Sequence, residues 1–207
     1  MSLDGTATGL KASIADWLDD TTLTSVIPDF IVMAEARFNR MLRVSAMEAL
    51  ATASTVAGSQ YLALPSDCAG IRSIWVQGSP DRPLDMMNTG EAQRNFMGYS
   101  SQKPLCYAIS AGQLTLLPVP DAAYTLEIDY YQKLPPLASN STNWLLTKHP
   151  DIYLYACLLA AEMRGWNDSR LPLLKSAFDE GLAEIEQDSA SLKYGAAPLY
   201  PRIARIS

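Results

Sequence analysis

The sequence predicts an α+β fold in which helices at both ends bracket a β-rich insert. Three observations lead there. Apolar residues recur at helical spacing over about the first 45 residues and again from about residue 150 to 193. Between them, runs that alternate apolar and polar residues are punctuated by Gly, Ser and Pro, the pattern of half-buried strands joined by turns. Two consecutive prolines, Pro135 and Pro136, mark where the strand period stops and the helical one returns.

Taken in order, Leu10, Ile14, Trp17 and Leu18 put an apolar stripe on a short helix over about 8–20, with Asp16 and Asp19 on its polar side or at its end. Ile27, Phe30, Met33, Ala34, Phe38, Met41 and Leu42 mark one face of a second helix over about 28–43. Pro28 suits its first turn, where a missing N–H costs nothing. Residues 46–56 are rich in Ala, Thr and Val and run into Ala57-Gly58-Ser59, with Tyr61, Leu62 and Leu64 beyond. They read as two short strands about a Gly turn, although the Ala and Glu of the first also suit a helix. Ile71, Ile74, Trp75 and Val76 form a third strand ended by Gly78-Ser79-Pro80, and residues 89–97 one short helix. Strands at about 105–110, 113–118 and 123–132 follow; in the last, Leu126, Ile128 and Tyr130 alternate with Glu127, Asp129 and Tyr131.

Pro150 opens a helix to about Gly165 that is apolar nearly all round, which belongs in the middle of a bundle. Asn167 and Asp168 can cap another over about 169–192, striped by Leu171, Leu174, Phe178, Leu182, Ile185 and Leu192 and about 35 Å long. Residues 195–207 carry two prolines and no acidic group, and are expected to be unfolded in the free chain. Antiparallel helices bury their stripes only against each other. Residues 1–45 and 145–193 are therefore expected to form one discontinuous helical bundle, 46–144 a β-rich insert, and 194–207 an extended C-terminal tail.

Composition narrows the function classes. With 22 acidic and 16 basic side chains the net charge is −6, which argues against gripping nucleic acid through its phosphates. The same charge suits a wall past which DNA slides, because each phosphate contact would be a trap along the path. No apolar run approaches the ~18 residues of a membrane span. The opening residues lack the basic and apolar regions of a signal peptide, giving an expectation of synthesis in the cytoplasm. Cys68, Cys106 and Cys157 are too scattered for a disulfide framework or a C-x-x-C metal site and read as small buried hydrophobes.

Chemistry is sparse. The single histidine, His149, stands before Pro150, where a cap or an exposed loop side chain fits better than the base of a nucleophile system. Glu127 and Asp129 share a strand face and have the residue types of a cation site or an acid/base pair, but no third carboxylate or Gly-rich loop stands near them in sequence. Phosphate-binding glycine loops are absent from the sequence. Arg37, Arg40 and Arg43 recur every three residues as a basic stripe, read either as a solvated face or as an ion-pair stripe for a neighbouring subunit. The expectation is no enzyme, no catalytic residue, no metal and no cofactor.

Several motifs carry a resemblance. They are the Y-x-I-x-x-G-x-L-x-L-x-P-x-P run from Tyr107 to Pro120, the Tyr130-Tyr131 pair, and W-L-L…P-D-x-Y-L-Y-A from Trp144 to Ala156. Tyr61-Leu-Ala-Leu-Pro-Ser-Asp67 and the A-x-x-R-x-x-R-x-L helix from Ala34 to Leu42 extend it more loosely. In this order they resemble the head-to-tail adaptor (connector) proteins of tailed bacteriophages. The resemblance implies a structural virion protein that forms a ring beneath the portal, extends the DNA channel and provides the tail attachment platform. It implies as partners the portal protein, other copies in a ring of portal symmetry (a dodecamer), and a tail or nozzle protein, with DNA passing through the lumen without specific binding and no membrane. The place implied is the head–tail interface of the virion, after synthesis in the host cytoplasm. Leu199, Tyr200, Ile203 and Ile206 are then apolar anchors on the portal, Arg202 and Arg205 its charge contacts, and Arg37, Arg40 and Arg43 inter-subunit candidates. Another phage tail or tail-completion protein would share the lack of chemistry and differ in binding tail. A carboxylate-dependent glycan hydrolase would need a cleft built from Glu127, Asp129 or Asp151.

Overall fold

The structure, a computed structural model, describes residues 3–19, 21–78, 80–165 and 170–194; the expected cap at Asn167/Asp168 and the tail residues 195–207 lie outside them. The fold is α+β, with helices toward both ends and strands between them. Two compact units emerge, one from Met1–Ala46 with Leu134–Ser207 and one from Met47–Lys133.

The helical unit opens with α1 (Ala7–Leu18), capped by Thr6, whose hydroxyl accepts the Gly9 N–H at 3.0 Å. Asp4 Oδ1 in turn accepts both the N–H and the O–H of Thr6, and these bonds hold its carboxyl below the usual range. Leu10 and Ile14 are fully buried, whereas Trp17, expected on the same stripe, is half exposed. A 3₁₀ turn, Thr21–Val26, leads into α2 (Ile27–Met41) with Pro28 in its first turn. Its buried face is Ile27, Phe30, Ile31, Ala34, Glu35 and Phe38; Met33 and Met41, expected on that face, are exposed.

After the β region come α4 (Trp144–Lys148), α5 (Pro150–Gly165) and α6 (Leu171–Tyr194). Helix α5 packs against α1, α2, α4 and α6, and Ile152, Tyr153, Leu154, Ala156, Cys157, Leu158 and Leu159 are all buried, so an all-round apolar surface is what its central place requires. Phe38, Tyr153 and Phe178 meet as tilted rings at the junction of α2, α5 and α6, with Phe38 centred 5.1 Å from Tyr153 and 6.0 Å from Phe178. Gly181 lets α5 and α6 close: a Cβ there would stand 2.7 Å from Ile152 Cγ1. Leu192, expected on the α6 stripe, is exposed.

The second unit holds β1 (Glu48–Ser54), β2 (Tyr61–Ala63), β3 (Cys68–Val76), β4 (Arg82–Pro83), β5 (Asp85–Met86), α3 (Thr89–Asn95), β6 (Cys106–Ser110), β7 (Gln113–Leu117) and β8 (Thr125–Gln132). Two four-stranded sheets form, in the orders β1-β8-β3-β4 and β2-β7-β6-β5, antiparallel except for β5 beside β6. Ile74, Val76, Leu126, Ile128 and Tyr130 of the first sheet pack with Tyr107, Leu114 and Leu116 of the second to make a small sandwich. On the other face of the second sheet, Cys106, Ala108 and Leu117 cluster with Ala92 of α3. Strand β7 is thus covered on both faces, which accounts for the unbroken run Leu114-Thr115-Leu116-Leu117. Ala111 and Gly112 join β6 to β7 with φ of 51° and 74°, the left-handed pair that suits the twist of a two-residue hairpin.

The boundary between the units falls at Lys133/Leu134, not at the expected 144/145. Physically, residues from Leu134 onward are tied to α2: the Leu134 N–H donates to Asn39 Oδ1 at 2.7 Å and the Leu137 N–H to Glu35 Oε1 at 2.7 Å.

Two outcomes test this architecture. Replacing residues 47–133 by a short Gly/Ser linker should leave a helical protein with a cooperative melt by circular dichroism; a gradual melt would show that the helices depend on the sandwich. Gly181→Ala gains about 1 kcal/mol of helix propensity but forces Ile152 aside, which costs about 1–3 kcal/mol. Its Tm should therefore fall by a few degrees, and added Ile152→Val should recover part of the loss.

Candidate functional site

Helix α2 faces two ways, and both matter. Inward, it sets Glu35 in a buried polar network. Glu35 Oε1 accepts the Leu137 N–H and, at 2.9 Å, the Tyr153 hydroxyl from α5. Tyr153 Oη accepts from Asn143 Nδ2 at 3.3 Å, and the same amide donates to the Pro135 carbonyl at 3.0 Å. Asn143 Oδ1 accepts the Leu146 N–H and so caps α4. Burial, and after it the adjacent Glu35, push the Tyr153 phenol well above the ordinary tyrosine range against the opposing Asn143 bond, so the group serves as a donor. The sequence carried one signal for this: Glu35 falls on the same helical face as Ile31 and Phe38.

Outward, α2 and α5 enclose an open cleft of about 410 Å³. Ala34, Ala156 and Ala160 line it, Met33 and Met163 are exposed beside it, and Arg37, Arg40 and Asp29 supply its charge. The three arginines of the predicted stripe have different surroundings. Arg37 lies with its guanidinium 4.4 Å over the Phe178 ring. Arg40 is exposed in the cleft lining. Arg43 Nη1 donates to the carbonyls of Asn39 and Leu42 at the end of α2, the place where a cation complements the helix dipole.

The other candidates are dispersed. Asp129 Oδ2 accepts from Arg72 Nη1 at 3.0 Å, and the same nitrogen reaches Glu48 Oε2 at 2.8 Å. Glu127 accepts from Gln77 Nε2 at 3.2 Å, so the two carboxylates of β8 have separate partners on one sheet face. Asp151 is exposed in the first turn of α5. His149 ends α4, its N–H donating to the Leu145 carbonyl, and its own carbonyl accepts the Tyr153 N–H. Cys106 and Cys157 are buried, and burial with Asp85 nearby pushes Cys106 up to about 11; Cys68 is half-buried. Among the described residues no group of three His, Cys, Asp or Glu is placed to hold a metal, and no helix is long and apolar enough to cross a membrane. The tail candidates Leu199, Tyr200, Arg202, Ile203, Arg205 and Ile206 lie outside the described residues.

A family model described as SU10 adaptor protein matches residues 5–202. The chain belongs to the SU10 adaptor protein family. That family is one of bacteriophage head-to-tail adaptors, so this adaptor is a structural component of a phage virion. The match takes in both units and runs into the tail. No curated protein is significantly similar to the chain.

The buried network in this adaptor is open to a direct check. Tyr153→Phe removes the hydroxyl and leaves the buried Glu35 short of one donor, which should cost roughly 1–3 kcal/mol. A drop in Tm with the denaturant m-value unchanged is expected; an unaltered midpoint would show that Glu35 does not depend on Tyr153.

Proposed function

We propose that this adaptor assembles as a ring beneath the portal, extends the DNA channel and presents the platform to which the tail attaches. The observation that carries the reading is the family match over residues 5–202. Two further features support it. The chain is acidic overall, which suits a lumen that DNA crosses without being held. Its helical unit has an outward cleft that pairs apolar side chains with arginines, the composition of a protein contact. A ring with portal symmetry, a dodecamer, needs one surface of each copy to fit a different surface of the next, and Arg37 and Arg40 belong to such a surface. Arg43, exposed at the end of α2, is assigned to the same surface.

The tail docks on the portal in this reading. Residues 195–207 hold Arg202 and Arg205 and no acidic group, and Leu199, Tyr200, Ile203 and Ile206 are apolar. A segment of that kind gains its contacts on a partner and loses chain entropy on docking.

Co-sedimentation with the purified portal tests the proposal. Truncation after Lys193 should leave the Tm nearly unchanged and abolish portal binding. Arg202→Glu with Arg205→Glu should weaken binding in a salt-dependent way. Truncated protein that decorates portal as fully as the intact chain would move the docking surface off the tail.

A further inference from the structure

We infer that the α2–α5 cleft of one copy receives the outward face of α6 from the next copy; this rests on the ring reading and names the two surfaces that close it. The cleft is apolar at its base and edged by two long, adaptable side chains, Met33 at 48% and Met163 at 70% exposure, which a monomer gains nothing by leaving wet. Its exposed guanidinium is Arg40, with Asp29 the one acid in the lining.

The outward face of α6 has the opposite character. Leu173 is 75% exposed, and Glu180 and Glu184 follow it along one side of the helix. Over its described length the exposed charges of α6 are Asp179, Glu180, Glu184, Glu186 and Asp188 against Lys175 and Lys193. Spacing matches as well as charge. Met33 and Arg40 stand seven residues apart on α2, and Leu173 and Glu180 stand seven apart on α6, about 10.5 Å along either axis. An apolar anchor and a charge are thus set at equal intervals on both helices, with the signs opposed. Small residues under the cleft, Ala34, Ala156 and Ala160, leave room for Leu173 to enter between the methionines. Because the two surfaces are different parts of one chain, the contact is heterologous. It propagates from copy to copy, where a self-complementary patch would stop at a dimer.

The test uses the full chain, alone at high concentration and mixed with purified portal. Leu173→Cys is combined with Met33→Cys or with Met163→Cys, so that both edges of the cleft are probed, and a short bismaleimide is added. All three positions are exposed, and unchanged melting confirms that the variants fold. The expected product is a ladder of trimers and higher species, absent from wild-type protein carrying only its own cysteines. Arg40→Glu should reduce the ladder roughly tenfold, and Arg40→Glu with Glu180→Arg should restore it, since the reversed pair attracts again. Dimers alone, or no cross-linked product from either cysteine pair, would overturn this interface. Portal decoration measured on the same samples separates the two claims. Decoration without a ladder sinks the cleft–α6 contact and leaves the ring reading standing; no decoration and no ladder sinks both.

Discussion

The helical unit depends on how the chain re-enters it after the sandwich. The returning segment carries Pro135 and Pro136, which have no N–H to give, and two flanking N–H groups at Leu134 and Leu137 that need acceptors. Both find them on α2, one turn apart, at Asn39 and Glu35. Glu35 then binds the hydroxyl of Tyr153, whose ring packs at a tilt against Phe38, so that polar and aromatic contacts hold α2, α5 and the returning segment together. A buried carboxylate without these donors would be costly.

The sandwich unit solves a different problem. Its second sheet lies between the first sheet and α3, so β7 is buried on both faces while β1 and β8 show the alternation of a one-sided sheet. Polar side chains on the outward face of the first sheet satisfy one another: Arg72 serves Glu48 and Asp129, and Gln77 serves Glu127. Pairs as exposed as these contribute little to stability. Their effect is to occupy the carboxylates that from sequence had the residue types of a cation or acid/base site.

For a structural adaptor, the chemistry is that of surfaces. The inward faces of α2, α5 and α6 are closed by tilted aromatic contacts and by the approach at Gly181, which leaves their outward faces free to differ in charge. Exposed methionines beside arginines on one helix pair, and an acidic ridge with a leucine on another helix, are features a lone monomer has no use for.

The α+β class, the six longer strands, α1, α2, α3, α5 and α6 are legible in the sequence, because periods of 3.6 and 2 follow directly from which side of an element meets the core. The adaptor resemblance was legible too, through the order of motifs from Tyr107 to Ala156. Short β4 and β5 were not, since two residues carry no period, and neither was the division of the strands into two sheets, which is a matter of pairing across long sequence distances. Periodicity put Trp17, Met33, Met41 and Leu192 on buried stripes. Tertiary structure reversed all four, because a stripe on a helix is wider than the contact its neighbours make with it. Which residues at its margin are covered is decided only by where the adjoining helices cross.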